Sequence, residues 1–396
     1  MRLLSLFSGI GAFEKGLERL GVSIDLVNYC EIDKYASKAF SLIHNIPEEK
    51  NLRDVREVNT RYISDLDLLT YGFPCQDISI AGLKKGFSDN GERTRSGLFF
   101  EALRIIESTR PKIAIAENVK ALVGKRFINE FNIVLGSLSR LGYNNYYSVL
   151  NAKDYGIPQN RERVFIVSIR QDIDKGFTFP KKQELTLRLK DILEDTVDDK
   201  FFLKDSRIYS TLKPRSMDPE IKIEQIGNIM DDKGRNFKNP QCGRVYDPEG
   251  LSPTLNTCNG GNRQPKVIVR TDKTICLNSK GGRGGKEGLQ PSLQDRVYSV
   301  EGIATACTTC YPTKIKQETE IRKLTPKECF RLMGFDDRDI DTLRDNGISD
   351  AQLYKMAGNS IVVDVVYHIF EQLRSRYPDI FPRGQMSIED LMREED

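Results

Sequence analysis

Short β-branched runs alternate with amphipathic stretches through the first 170 residues, and this alternation restricts the fold more than any other feature of the chain. Leu3–Phe7, Ile24–Tyr29, Leu66–Tyr71, Lys112–Ala116 and Val164–Ile169 read as buried strands. Between them the spacing predicts one helix from the Ser8–Gly11 turn to about Leu20, stopped by Gly21, and another from Asp33 to His44. A third, over Ser96–Glu107, places Leu98, Phe99, Leu103 and Ile106 on one face. The pattern implies an α/β protein with a Rossmann-like, doubly wound, mostly parallel sheet.

Beyond Pro180 the character changes. To about Arg322 the chain holds 12 of its 30 glycines and no long helical pattern. Arg244-Val245-Tyr246 is echoed by Arg296-Val297-Tyr298, which suggests related strand–turn units in a loop-rich second domain. Between Lys200 and Lys323, 22 Lys and Arg stand against 14 Asp and Glu, an excess of eight; with a net charge of +3, the rest of the chain carries −5. A basic segment in an otherwise acidic protein suits a polyanion partner, although a solvated charged face would give the same count. Helical signals return at Thr325-Pro326-Lys327-Glu328, which has the form of a capping box. The last helix places Ile361, Val362, Val365, Val366, Ile369, Phe370 and Leu373 on one face, ahead of an acidic tail. The expected division is a catalytic and cofactor-binding domain at 1–184, an inserted smaller domain at 185–325, and a return to the first domain at 326–396.

The apolar start is interrupted by Glu14 and Lys15, and no run approaches eighteen uncharged apolar residues, so a cytoplasmic protein without a membrane span is expected. Eight irregularly spaced cysteines do not form a disulfide framework. Cys307-Thr308-Thr309-Cys310 lacks a second pair at zinc-ribbon spacing, and no metal is expected.

Five features carry chemistry. Phe7-Ser8-Gly9-Ile10-Gly11 follows a strand and opens a helix, where glycines admit a ligand close to the backbone; any tight strand–helix turn would also be satisfied by it. Glu31, ending the second strand, stands where an acid accepts hydrogen bonds from a ribose, or begins a helix as a surface acid. Cys75, after Pro74, follows the third strand. A lone cysteine is ordinarily a small buried hydrophobe, but Gln76, Asp77, Ser79 and glycines at 82, 86, 91 and 97 surround this one with a polar loop. Glu117 ends the apolar run of the fourth strand, where a carboxylate must be hydrogen-bonded, ion-paired or protonated. Arg161 and Arg163, before the fifth, could neutralise it, bind a phosphate or serve as surface charge.

Taken together and in this order, the motifs make the chain similar to the DNA (cytosine-5-)-methyltransferases of bacterial and phage modification type, from Leu3 to about Arg374. Phe7–Gly11 resembles the family's cofactor loop, Pro74-Cys75-Gln76 its nucleophile motif and Glu117-Asn118-Val119 its acid motif. Gln159–Arg163, Arg322–Phe335 and Gly358-Asn359-Ser360 complete the set. Ala12 stands where many members have glycine, and Ile32 where several have an aromatic residue against the cofactor adenine.

The resemblance implies sequence-specific methylation of C5 in a flipped-out cytosine of double-stranded DNA, with S-adenosylmethionine converted to S-adenosylhomocysteine. It assigns the nucleophile to Cys75, the acid to Glu117 and an orienting role to Arg161 and Arg163. Cofactor contacts fall to Phe7, Ser8, Gly9, Ile10, Gly11, Glu31, Ile32, Asp54, Pro74, Leu98, Asn359 and Ile361. The basic segment becomes a target-recognition domain, with Arg244, Asn256, Thr257, Arg283, Arg296, Thr308, Thr309 and Tyr311 as candidate DNA contacts, joined by Gln76 and Ser79. A monomer is expected, with a cognate restriction endonuclease as a possible functional partner. Rival readings are a tRNA cytosine-5 methyltransferase, a methylation-inactive DNA-binding protein and a nicotinamide oxidoreductase; the last leaves Cys75 and the arginine pair unexplained.

Overall fold

The computed structural model describes residues 1–74, 95–203, 222–228, 243–258, 263–270 and 319–384, with strand pieces at 88–89, 92–93, 297–298 and 314–315. It comprises two units: Met1–Leu187 with Pro253–Gly260 and Pro326–Asp396, and Arg188–Ser252 with Gly261–Thr325. Within the stretch expected to stand apart at 185–325, the Pro253–Gly260 segment returns to the first unit and brings Asn256 and Thr257 with it.

The first unit is built on six strands: β1 (Arg2–Leu6), β2 (Asp25–Cys30), β3 (Leu68–Tyr71), β4 (Ile113–Val119), β5 (Tyr143–Asn151) and β6 (Glu162–Arg170). Their order is β2-β1-β3-β4-β6-β5. The first four are mutually parallel, while β6 runs antiparallel to both β4 and β5. Burial of nearly all of β1 and the whole of β3 follows from a parallel sheet covered on both faces. The fourth strand runs past the expected end at Ala116. Its antiparallel partner supplies hydrogen bonds as far as Val119, so Glu117 lies inside the strand, opposite Phe165. β5 escapes a periodicity reading because its half-exposed sequence YNNYYSVLN has no apolar alternation.

Helices α1 (Ala12–Arg19), α2 (Lys34–His44), α3 (Phe99–Thr109) and α4 (Ile128–Arg140) connect these strands. Asp33 caps α2 by accepting from the Tyr35 and Ala36 N–H groups, and Asn45 ends it in the left-handed region. After the insertion come α5 (Pro326–Arg331), α6 (Asp337–Asp345), α7 (Asp350–Asn359) and α8 (Val363–Arg376). Ile361 and Val362 fall short of the last helix because Val362 is extended. Its buried face of Val366, Ile369, Phe370 and Leu373 packs on α1, with Phe370 edge-on to Phe13. Each such side chain contributes about 1.5–3 kcal/mol, which is why the chain's end completes the core of its beginning. No described helix is long and apolar enough to cross a membrane.

The second unit holds a four-stranded sheet of β7 (Gln225–Asn228), β8 (Arg244–Tyr246), β9 (Lys266–Arg270) and β10 (Thr319–Lys323), in that order. Ile226, Val245 and Ile321 form its small core. Val297–Tyr298 pairs with Lys314–Ile315, so both halves of the sequence echo contribute strand.

Candidate active site

The first part of the site is the turn between β1 and α1. Phe7, Gly9 and Gly11 all have left-handed backbone, with φ of 53°, 57° and 81°. That conformation is unfavourable for Phe7, which has a Cβ, and strain of this kind persists where surrounding structure holds it. Here Ser8 N–H donates to the Cys30 carbonyl (3.1 Å) and Gly9 N–H to Glu31 Oε2 (2.9 Å). The Asp33 N–H donates to Glu31 Oε1 (2.8 Å), so each carboxylate oxygen accepts one backbone bond and keeps lone pairs for a ligand. Burial pushes the Glu31 carboxyl up, opposed by the bonds from Asp33 and Gly9. Asn51, which nothing in its spacing singles out, fixes this acid from behind: its side chain accepts from the Glu31 N–H (3.0 Å) and donates to the Glu31 carbonyl (2.9 Å).

These residues fit the S-adenosylmethionine implied by the resemblance. Ser8 Oγ is buried without a hydrogen-bond partner, and the space where Gly9 would carry a Cβ is open. Ile32, next to the acid, is 71% exposed and leaves an uncovered apolar surface there. Asp54 is engaged by Arg56 through Nε (3.0 and 3.1 Å) and Nη2 (2.5 Å), which holds its carboxyl below the usual range. Leu98 packs on the main core, Pro74 is half-buried and Asn359 is exposed at the end of α7.

The second part lies where β3 and β4 end and β6 begins. Glu117 pairs with Arg163 Nε at 2.9 Å, with only 13% and 18% of the two side chains exposed. Burial raises the Glu117 carboxyl; Arg163 and then Arg161 pull it back. Its other oxygen faces Gly72, where a Cβ would lie 3.8 Å from Oε2. The neighbouring Asn118 is buried and donates to the Phe73 carbonyl (3.0 Å). The chain leading to Cys75 is therefore fastened to the strand that carries the acid.

The two arginines have different work. Arg163 faces the carboxylate. Arg161 is buried and donates to three carbonyls, those of Leu255 (3.0 Å), Gly358 (3.0 Å) and Ser360 (2.6 Å). Gln159 assists by donating to the Leu332 carbonyl (2.7 Å) and accepting from the Leu255 N–H (3.2 Å). A Cβ on Gly358 would stand 2.2 Å from the Asn256 carbonyl oxygen, so glycine is needed for the two backbones to meet. The Gly358-Asn359-Ser360 and Gln159–Arg163 motifs are thus parts of one clamp on the 254–258 strap. Asn256 and Thr257 are half-buried in it, and Ile361 lines a small cavity beside Arg161 and Arg163. Arg244 lies in the other unit, on β8. Cys75, Gln76, Ser79, Arg283, Arg296, Thr308, Thr309 and Tyr311 lie outside the described residues. Among the described residues no group of His, Cys, Asp and Glu could hold a metal ion.

The family model for C-5 cytosine-specific DNA methylase matches residues 1–375. The orphan methyltransferase M.SPRI of Bacillus phage SPR is 34% identical, over 95% of this chain and 98% of its own. The type II methyltransferase M.HhaI of Haemophilus parahaemolyticus is 32% identical over 93% of each. Among solved structures, the S. pombe Dnmt2 methyltransferase superposes with a TM-score of 0.58 at 18% identity, covering 95% of this chain and 98% of that one. The Entamoeba histolytica methyltransferase EhMeth gives 0.62 at 15%, over 96% and 98%. The two superpositions bear out the α/β methyltransferase fold, and S-adenosylmethionine is the cofactor of such enzymes. By the family match and the length and identity of its relatives, the chain belongs to the C-5 cytosine-specific DNA methylases.

Proposed function

We propose that this enzyme methylates C5 of one cytosine within a short sequence of double-stranded DNA, through a covalent bond between Cys75 and C6 of a base turned out of the helix. The observation that supports it most is the buried Glu117–Arg163 pair beside Gly72, with Asn118 bonded to the Phe73 carbonyl. C5 of cytosine is a weak nucleophile. Addition of the Cys75 thiolate to C6 sends the ring's electron pair to C5 and makes it an enamine carbon. Charge then builds at N3 unless it is protonated or hydrogen-bonded, and a carboxyl lifted by burial suits that donation. S-adenosylmethionine supplies an electrophilic methyl group. Loss of the C5 proton and departure of the thiolate restore the aromatic ring.

Within this reading Arg163 aims the acid, while Arg161 is a positioning residue that holds the strap and the Asn359 segment. Phe7, Ser8, Gly9, Ile10, Gly11, Glu31 and Ile32 hold the cofactor. Turning out the base costs a few kcal/mol, offset by phosphate contacts from the basic second unit, with base reading by Arg244, Asn256 and Thr257. The protein acts as a monomer in the cytoplasm. Its relatives include both orphan and type II methyltransferases, so a companion endonuclease is an optional partner.

The test is bisulfite sequencing of unmethylated genomic DNA after incubation with S-adenosylmethionine, beside Cys75→Ser. Protection confined to one short sequence, and lost in the variant, is expected. A duplex carrying 5-fluorocytosine in that sequence should trap the wild-type protein covalently, because fluorine cannot leave C5 as a proton does. Protection of tRNA but not DNA would overturn the choice of substrate.

A further inference from the structure

His44, the last residue of α2, lies against the backbone of the 7–11 turn and takes no part in the chemistry above. Its side chain is 2% exposed. Nδ1 stands 2.6 Å from Glu18 Oε1, and Nε2 stands 3.1 Å from the carbonyl oxygen of Ile10. A carbonyl can only accept, and an ionised carboxylate can only accept. Neutral imidazole has one donor and would face one of these oxygens lone pair to lone pair; only the imidazolium satisfies both. The ring is the more enclosed partner, 2% exposed against 40% for the Glu18 side chain, and it alone meets an acceptor on each side.

The surroundings agree. The charged groups acting on the ring are Glu18 and Glu14, both from α1, and neutral Phe40 lies tilted over it with centroids 4.8 Å apart. Burial opposes the ring's charge, yet the two carboxylates outweigh it and move the ring above the usual histidine range. Glu14 is 3% exposed, with the Ser5 side chain acting on its carboxyl. Its own carboxyl is pushed up by burial, and its ionisation would strengthen the hold on the proton of His44. On the loop side the fit leaves no slack: a Cβ on Gly11 would lie 2.1 Å from Nε2.

We propose that His44 is a positioning residue for the cofactor turn: held as an imidazolium between Glu18 and the Ile10 carbonyl, it fixes the Ile10–Gly11 backbone in the conformation that binds S-adenosylmethionine, and it releases that backbone when it loses its proton. This rests on the reading of residues 7–11 as cofactor-binding. The sign follows from the raised ring: its hold is complete below the ordinary histidine pKa of about 6.5 and is lost as pH rises through the folded value.

The chain has only two histidines, His44 and His368, so nitrogen-15 spectra of histidine-labelled protein report the ring directly. With His368→Gln used for assignment, His44 should show two protonated nitrogens at pH 7.5. S-adenosylhomocysteine binding, followed by calorimetry, should weaken as pH rises through the titration seen in the spectra. His44→Phe keeps a ring against Phe40 but donates nothing; it should bind S-adenosylhomocysteine about tenfold more weakly, without that pH dependence. Glu18→Gln, at an exposed position, should lower the pH at which His44 titrates. One bare and one protonated nitrogen at pH 7.5 would overturn the proposal while leaving the cofactor turn intact. Wild-type binding with an unchanged pH profile in His44→Phe would also overturn it. A cationic His44 in a protein that binds no S-adenosylhomocysteine would instead overturn the assignment of the turn, and the positioning role with it.

Discussion

Two largely buried carboxylates stand near the ends of two strands of the same sheet, and they are compensated by different means. Glu31, after β2, is held by the N–H groups of Gly9 and Asp33, which are neutral and fixed by the backbone. Glu117, near the end of β4, is held by the guanidinium of Arg163. Burial pushes both carboxyls up, by the same desolvation. Backbone dipoles cannot be moved, so they make Glu31 a stationary acceptor suited to a hydroxyl ligand. In the proposed reaction a side-chain cation can shift when a base arrives, which would suit Glu117 to proton transfer. On this view the difference separates a binding acid from a reacting one.

The comparison breaks most readily at Glu117. Glu117→Gln keeps shape and hydrogen-bonding capacity but cannot pass a proton to N3, so methyl transfer should fall about a thousandfold, within the range for loss of a general acid. S-adenosylhomocysteine affinity should not change. An equal loss in both would mean that the two acids serve one pocket in the same way.

Arg163→Ala sharpens the comparison through pH. Removing one member of a buried pair costs roughly 3 kcal/mol when its partner stays charged. Here the partner can take a proton, and its carboxyl, already raised, rises further. A raised acid loses stability as pH climbs from its unfolded to its folded value. The deficit of the variant in urea unfolding should therefore be small near pH 4 and full at pH 7.5. A deficit independent of pH would show that packing, not charge, is what Arg163 supplies.

How much of this was legible in sequence depends on how local each constraint is. The alternation of runs such as Leu3–Phe7 and Leu66–Tyr71 marks the parallel half of the sheet, because a strand covered on both faces must be apolar along its length. The antiparallel edge is not marked: β5 is half-exposed and polar, and its place follows from pairing with β6. Glu117 reads as the end of a strand because the apolar run stops there; only the partner strand shows that the ladder continues to Val119. Arg161 and Arg163 look alike in sequence. Their division of labour is set by carbonyls 94 to 199 positions away, beyond any local pattern. His44 is a similar case, since nothing in its own neighbourhood shows that Glu18 and Ile10 wait on either side.

The glycines of the 7–11 turn extend the comparison into the backbone that holds Glu31. Gly11→Ala would place a Cβ 2.1 Å from His44 in a left-handed conformation, and should destabilise by about 2 kcal/mol or more. Gly9→Ala has the same conformational penalty but nothing within 4 Å of the new atom, so about 1 kcal/mol is expected. Thermal unfolding of the pair separates crowding from backbone strain. Gly9→Ala should nonetheless weaken S-adenosylhomocysteine binding, because its methyl group enters the open space. Equal stabilities for the two variants would mean that His44 moves aside at little cost.

Ile32 gives the smallest expected effect and the finest test. It adjoins Glu31 yet is 71% exposed, so the folded protein gains little by having an aliphatic residue there. Ile32→Ser should change unfolding free energy by no more than about 0.5 kcal/mol, as for ordinary surface positions. If the adenine ring covers this side chain, the same change removes about 1 kcal/mol of apolar burial from the complex, a three- to tenfold loss of S-adenosylhomocysteine affinity. A variant that loses stability and keeps affinity would place Ile32 in the core's service and leave the adenine to other residues.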